Sequence, residues 1–73
     1  MICPNIRSLR EDRDLKQKEL AQFLSIAQNT YSQYENGLIE WTAPMLVQLA
    51  EFYGVSTDYL LGLTKHKEPY PKE

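Results

Sequence analysis

"QKELAQFLSIAQNTYSQYENG", residues 17–37, carries apolar side chains at Leu20, Leu24, Ile26, Tyr31 and Tyr34. That spacing suits two short helices and no strand. Ser25-Ile26 interrupts the pattern as a tight turn, and Gly37 ends it, because glycine readily takes the left-handed conformation that closes a helix. Two helices set at a steep angle bury one face and expose the other, and Ala21 falls at their close crossing, where a small side chain is needed. The second helix, expected over residues 28–36, divides cleanly. Ile26, Tyr31 and Tyr34 point inward, while Gln28, Asn29, Ser32, Gln33 and Asn36 share the opposite side by i, i+4 spacing. That side holds amides and a hydroxyl, with no lysine or arginine.

Outward from this unit the helical spacing continues. Pro4 suits the first turn of a helix over 4–13, with Ile6, Leu9, Arg10 and Arg13 at i, i+3, i+4 and i+7. Residues 14–16 connect it to a helix over 17–24. Beyond a loop at 38–41, Thr42 is the N-cap of a helix over 43–53, Pro44 sits in its first turn, and Gly54 stops it. Leu46, Leu49, Ala50 and Tyr53 form its inward face. Ser56 caps a short helix over 57–61 that ends at Gly62. "TKHKEPYPKE", residues 64–73, is polar with two prolines and is expected to be a loose tail. The expectation is an all-α fold, a compact five-helix domain over residues 1–63 followed by a polar tail over 64–73.

A chain of 73 residues is one small domain with a modest core. Cys3 is the single cysteine and His66 the single histidine, so neither an internal disulfide nor a four-ligand zinc site is available. The cysteine count fits a reduced intracellular setting. The opening "MICPNIRSLR" does not read as a signal peptide, and no stretch approaches the ~20 apolar residues of a membrane span. A soluble, cytoplasmic protein is expected. No serine–histidine–aspartate, cysteine–histidine or paired-carboxylate set is evident, nor a glycine-rich phosphate loop. The chain therefore reads as no enzyme, with no cofactor, no metal and no small-molecule ligand.

Charge alone decides little about nucleic acid. The net charge is −2, which is poor support for a DNA binder. Residues 1–36 are balanced, with Arg7, Arg10, Arg13, Lys16 and Lys18 against Glu11, Asp12, Asp14, Glu19 and Glu35, and the excess acid lies further on. The chemistry of the amide side is more informative. A major groove admits one helix, and a glutamine or asparagine can both donate to and accept from a base edge, worth ~1–3 kcal/mol of discrimination per good pair. The bland alternative for this side is an ordinary solvated helix face.

Residues 5–61 resemble the phage-repressor-type, or XRE-family, helix-turn-helix transcriptional regulators. The likeness is carried by Ile6, Leu9 and Arg10 of "NIRSLRE", Leu15 and Gln17 of "LKQKELA", the run Glu19-Leu20-Ala21, then "YSQYENG", "LVQLAEFYGVS" and "DYLLG". The resemblance implies a lambda-repressor-like domain that binds double-stranded DNA. It implies that Gln17 bonds a phosphate, that Gln28, Asn29, Ser32 and Gln33 read bases, and that Thr30 and Asn36 touch phosphate or sugar; Lys16, because it adjoins Gln17, is expected to reach a phosphate as well. It also implies a structural pair between Arg10 and Glu35.

The chain departs from the family pattern at several places. Lys16 stands where a capping hydroxyl is usual, Ser25 where the turn glycine is usual, and Ala27 at the N-cap of the base-reading helix. Tyr31 is read as core, although its hydroxyl lies near the groove-facing edge. The loop after Gly37 is Leu38-Ile39-Glu40-Trp41 rather than basic, and a carboxylate there repels phosphates. Leu38, Ile39, Trp41, Phe52, Tyr59 and Leu63 either close the core or form a homodimer contact. The regulator expected is a repressor that binds a palindromic operator as a dimer. The rival is a protein-interaction module, antitoxin-like, with weak DNA binding.

Overall fold

A computed structural model describes residues 3–68. Five helices follow one another: α1 (Pro4–Asp12), α2 (Gln17–Leu24), α3 (Gln28–Glu35), α4 (Ala43–Tyr53) and α5 (Thr57–Leu61), with no strand among the described residues. The helices start and stop where local chemistry dictates. Pro4 opens α1. The Thr42 hydroxyl accepts from the Met45 N–H at 3.4 Å and the Ser56 hydroxyl from the Tyr59 N–H at 3.1 Å, capping α4 and α5.

α2 and α3 pack chiefly on each other, α1 lies against α5 and α3, and α4 lies against α5. Ile6, Leu20, Tyr31, Leu49 and Leu60 are fully buried at the centre, with Leu9, Ala21, Ala50, Tyr53 and Val55 around them. Asn5 donates to the Tyr59 carbonyl at 2.7 Å, tying the start of α1 to α5. Arg13 donates to the Tyr53 carbonyl at 2.7 Å and lies over the Tyr53 ring, so it closes the C-terminal end of α4.

Ser25 joins α2 to α3 in the left-handed region, at φ 59°. The Ile26 N–H then donates to the Ala21 carbonyl at 2.9 Å, which turns the chain sharply. Asp14 also has positive φ, 55°, in the α1–α2 connection, a constraint that nothing in its neighbours had signalled.

Trp41 belongs to the core. It stacks on Tyr34 at 4.8 Å and meets Tyr31 edge-on at 5.8 Å, so the loop after α3 folds over the base of the core. Tyr59 packs partly buried on the core, whereas Leu38 and Leu63 are each 73% exposed. Phe52 is partly exposed and pairs with Phe23, on α2, at 4.7 Å.

Within the stretch expected to be a loose tail, Lys67 makes two contacts with the domain. The Ser56 N–H donates to the Lys67 carbonyl at 2.9 Å, and the Lys67 ammonium lies 5.7 Å from the centre of the Tyr59 ring. Backbone pairing and a cation over an aromatic face hold residues that composition alone marks as solvated. Residues 69–73 of the expected tail lie outside the described residues.

Candidate nucleic-acid interface

Tyr31 and Glu35 are the buried residues of α3, and its outer side carries the amides. Gln28, Asn29, Gln33 and Asn36 are exposed, and Thr30 and Ser32 are half-buried. Because Glu35 turns inward, the outer side of α3 bears no charge. Gln17, Gln28, Asn29 and Ser32 line one open concavity of about 450 Å³. Gln17 is the first residue of α2 and Gln28 the first of α3, so both helix starts border it. Helix N-termini present unpaired N–H groups and partial positive charge, which attract anions such as phosphate.

Local bonds order this surface. The Asn29 side-chain oxygen accepts from the Thr30 N–H at 3.0 Å, which satisfies one donor in the first turn that Ala27 cannot cap. The Asn36 amide donates to the Ser32 hydroxyl at 3.3 Å. Lys16 is exposed at the N-cap of α2, and its backbone N–H donates to the Glu19 carboxylate at 2.7 Å. Lysine cannot supply the accepting half of a capping box, but Glu19 supplies the reciprocal half.

Behind the surface lies a buried ion pair. Arg10 donates through Nε to Glu35 Oε2 at 2.8 Å and through Nη2 to Oε1 at 3.1 Å, in two-pronged geometry. Its Nη1 reaches the Leu15 carbonyl at 3.0 Å. The expected link from the first helix to the end of the third is therefore present. Gln17 joins it, with Nε2 donating to Glu35 Oε1 at 3.2 Å. Burial works to raise the Glu35 pKa, but its polar neighbours, Arg10 first and then Tyr31 and Gln17, outweigh it and hold the carboxyl below the usual carboxylate range. Arg10 is raised in turn by its bond to Glu35.

Tyr31 belongs to the core, as its spacing implies, and its hydroxyl is not at the groove-facing edge. It is fully buried, with its hydroxyl turned toward the Glu35 carboxylate, so it does not reach the surface. Burial, and then the hydrogen-bonding and charge of the Glu35 carboxylate, push its pKa above the ordinary phenol range. Burial likewise pushes Tyr53 up to about 12, with the Glu35 charge adding to it. The Gln17–Glu35 bond and the Arg13 bond to α4 were missed from sequence, since nothing in residue type or spacing marks either partner. Among the described residues no group of three or more histidine, cysteine, aspartate or glutamate side chains could hold a metal ion. No helix among them is long and apolar enough to cross a membrane.

The Helix-turn-helix family profile matches residues 6–60, which takes in both helices around the concavity. The chain belongs to the helix-turn-helix family. Members of this family are binding domains rather than enzymes. The uncharacterized HTH-type transcriptional regulator YobD of Bacillus subtilis is 39% identical over 69 residues, 94% of this chain and 62% of that protein. The cryptic phage CTXphi transcriptional repressor RstR of Vibrio cholerae is 42% identical over 55 residues, 75% of this chain and 50% of that protein. The antitoxin PezA of Streptococcus pneumoniae is 35% identical over 69 residues, 94% of this chain and 44% of that protein. This helix-turn-helix chain thus spans about half the length of the curated relatives it matches.

Proposed function

We propose that this helix-turn-helix chain is a cytoplasmic, sequence-specific DNA-binding regulator, a repressor that sits on a palindromic operator as a homodimer. Residues 1–63 carry the activity. The observation that bears most weight is the uncharged, amide-rich outer side of α3, open to solvent beside two helix starts. In this reading α3 enters the major groove, and Gln28, Asn29, Ser32 and Gln33 meet base edges. Lys16, Gln17, Thr30 and Asn36 hold phosphate and sugar. A two-fold dimer presents two copies of α3 about 34 Å apart, one helical turn of DNA. Of the residues expected to form that contact, Leu38, Phe52 and Leu63 are exposed.

Footprinting of the DNA flanking its own gene, followed by gel-shift titration of the protected site, tests the reading. Gln28→Ala is expected to relax base preference at one operator position by ~1–3 kcal/mol. Gln17→Ala is expected to weaken all sequences alike, because phosphate contacts carry no sequence information. If neither change alters binding to operator or random DNA, the role assignment is wrong.

A second reading, a protein-interaction module on the same fold, draws support from the likeness to an antitoxin and from the partly exposed Phe23–Phe52 pair. Salt dependence separates the two. DNA affinity falls linearly in log salt, with slope near −0.9 per phosphate neutralised. Of the arginines in residues 1–36, Arg10 is held by Glu35, Arg13 by the Tyr53 carbonyl, and Arg7 faces Glu11. With Lys16 as the cation placed at the interface, a shallow slope of about −1 per protomer is expected. Binding of a protein partner through the aromatic pair is expected to change little with salt.

A further inference from the structure

We propose that Glu35 is a positioning residue for DNA contact, acting by holding the Gln17 amide in one orientation. The inference rests on the DNA-binding reading above and names a part of the site that reading leaves out. Glu35 sits behind the interface, with its side chain 2% exposed, and takes no part in a groove contact itself. Gln17 Nε2 donates to Glu35 Oε1 at 3.2 Å, and the same oxygen accepts from Arg10 Nη2 at 3.1 Å.

A carboxylate only accepts hydrogen bonds. Turned the other way, the Gln17 amide would set its own carbonyl oxygen against that carboxylate. Glu35 therefore draws one Nε2–H inward and leaves the second Nε2–H on the outside. Phosphate oxygens also only accept, so the second N–H is the atom a phosphate needs. Arg10 grips both oxygens of Glu35, so the carboxylate cannot swing out with the amide. Gln17 forms one wall of the concavity shared with Gln28, Asn29 and Ser32, beside both helix starts. The amide is thus set before DNA arrives, and the rotamer freedom lost on binding is already spent in folding.

A double-mutant cycle on a random-sequence duplex at low salt tests this, since a phosphate contact needs no known operator. Wild type, Glu35→Gln, Gln17→Ala and the double variant are compared by fluorescence anisotropy, at a temperature where circular dichroism shows each folded. Glu35→Gln is expected to weaken binding about tenfold when Gln17 is present, the worth of one fixed side chain. In the Gln17→Ala background the loss should be under about twofold. The charge Glu35→Gln removes is common to both backgrounds and cancels in the cycle. Additive losses would mean that Glu35 serves stability alone, and the proposal fails.

Nuclear magnetic resonance of the unliganded wild type gives a reading independent of any variant's folding. The inward Gln17 side-chain amide proton should exchange more slowly with solvent than the side-chain amide protons of Gln28 and Gln33. Equal exchange would show the amide unheld and overturn the proposal. If wild type instead binds no duplex at low salt, the DNA-binding reading itself falls, an outcome distinct from binding without coupling.

Discussion

Glu35 and Ser25 show how much single residues carry in so small a core. Removing one partner of a buried pair leaves the other charge in low dielectric. Arg10→Met is therefore expected to cost about 3–5 kcal/mol. In a domain this size that lowers the melting temperature by more than about 12 °C, measurable by circular dichroism. A shift of a degree or two would mean that Glu35 finds water or takes up a proton cheaply. The pH sign follows from the depressed carboxyl. Its stabilisation is present above the ordinary pKa of 4.5 and lost as pH falls through the lower folded value. Ser25 holds φ 59° with a side chain that disfavours it. Ser25→Gly is expected to stabilise by about 0.5–1 kcal/mol, read from the urea midpoint, and a decrease would show that the hydroxyl makes a needed contact. The strain at Ser25 was legible through the resemblance, because Ser25 stands where the family has its turn glycine. The strain at Asp14 was not, since a three-residue connection allows several backbone paths.

Helix ends were the most legible elements. Thr42, Ser56, Gly54 and Gly62 cap or close their helices through their own side chains or their lack of one, a chemistry confined to a few adjacent residues. α3 is the exception, with Ala27 at its start and no side-chain cap there. Ala27→Ser is expected to raise stability by about 0.5–1 kcal/mol, seen in the same denaturant titration. An unchanged midpoint would indicate that Asn29, which already accepts from the Thr30 N–H, supplies what the start of α3 needs. The amide side of α3 was legible from i, i+4 spacing alone. The link from Gln17 to Glu35 was not, because it joins residues 18 apart in sequence. No periodicity within one helix reports which side chain of the next it will meet.

At the scale of the whole molecule, buried hydroxyls set the alkaline limit. Tyr53 has an ordinary pKa of 10 and a folded value of about 12. Its contribution is fully present below pH 10 and is lost as pH rises through the folded value, because the unfolded chain ionises first. Tyr53→Phe is expected to flatten the fall of melting temperature above pH 10. The Tyr53 hydroxyl has no hydrogen-bond partner, so its loss at neutral pH should be neutral or stabilising by up to about 1 kcal/mol. A clear loss of stability at neutral pH would reveal a partner for that hydroxyl. Trp41 also belongs to this scale. Sequence left it between core and surface, and only its stacking against Tyr34 and Tyr31 decided for the core.

The order and type of the five helices, their ends and the polar side of α3 were determined by the sequence, because each depends on residues within a few positions of one another. Tertiary structure decided which charged and polar groups turn inward. It buried Glu35 with Arg10 and Gln17, closed α4 with Arg13, brought the Lys67 backbone back to Ser56, and set two helix starts around one concavity. Those choices depend on distances across the fold, where burial makes a hydrogen bond or an ion pair far more consequential than it is in water, and local pattern holds no record of them.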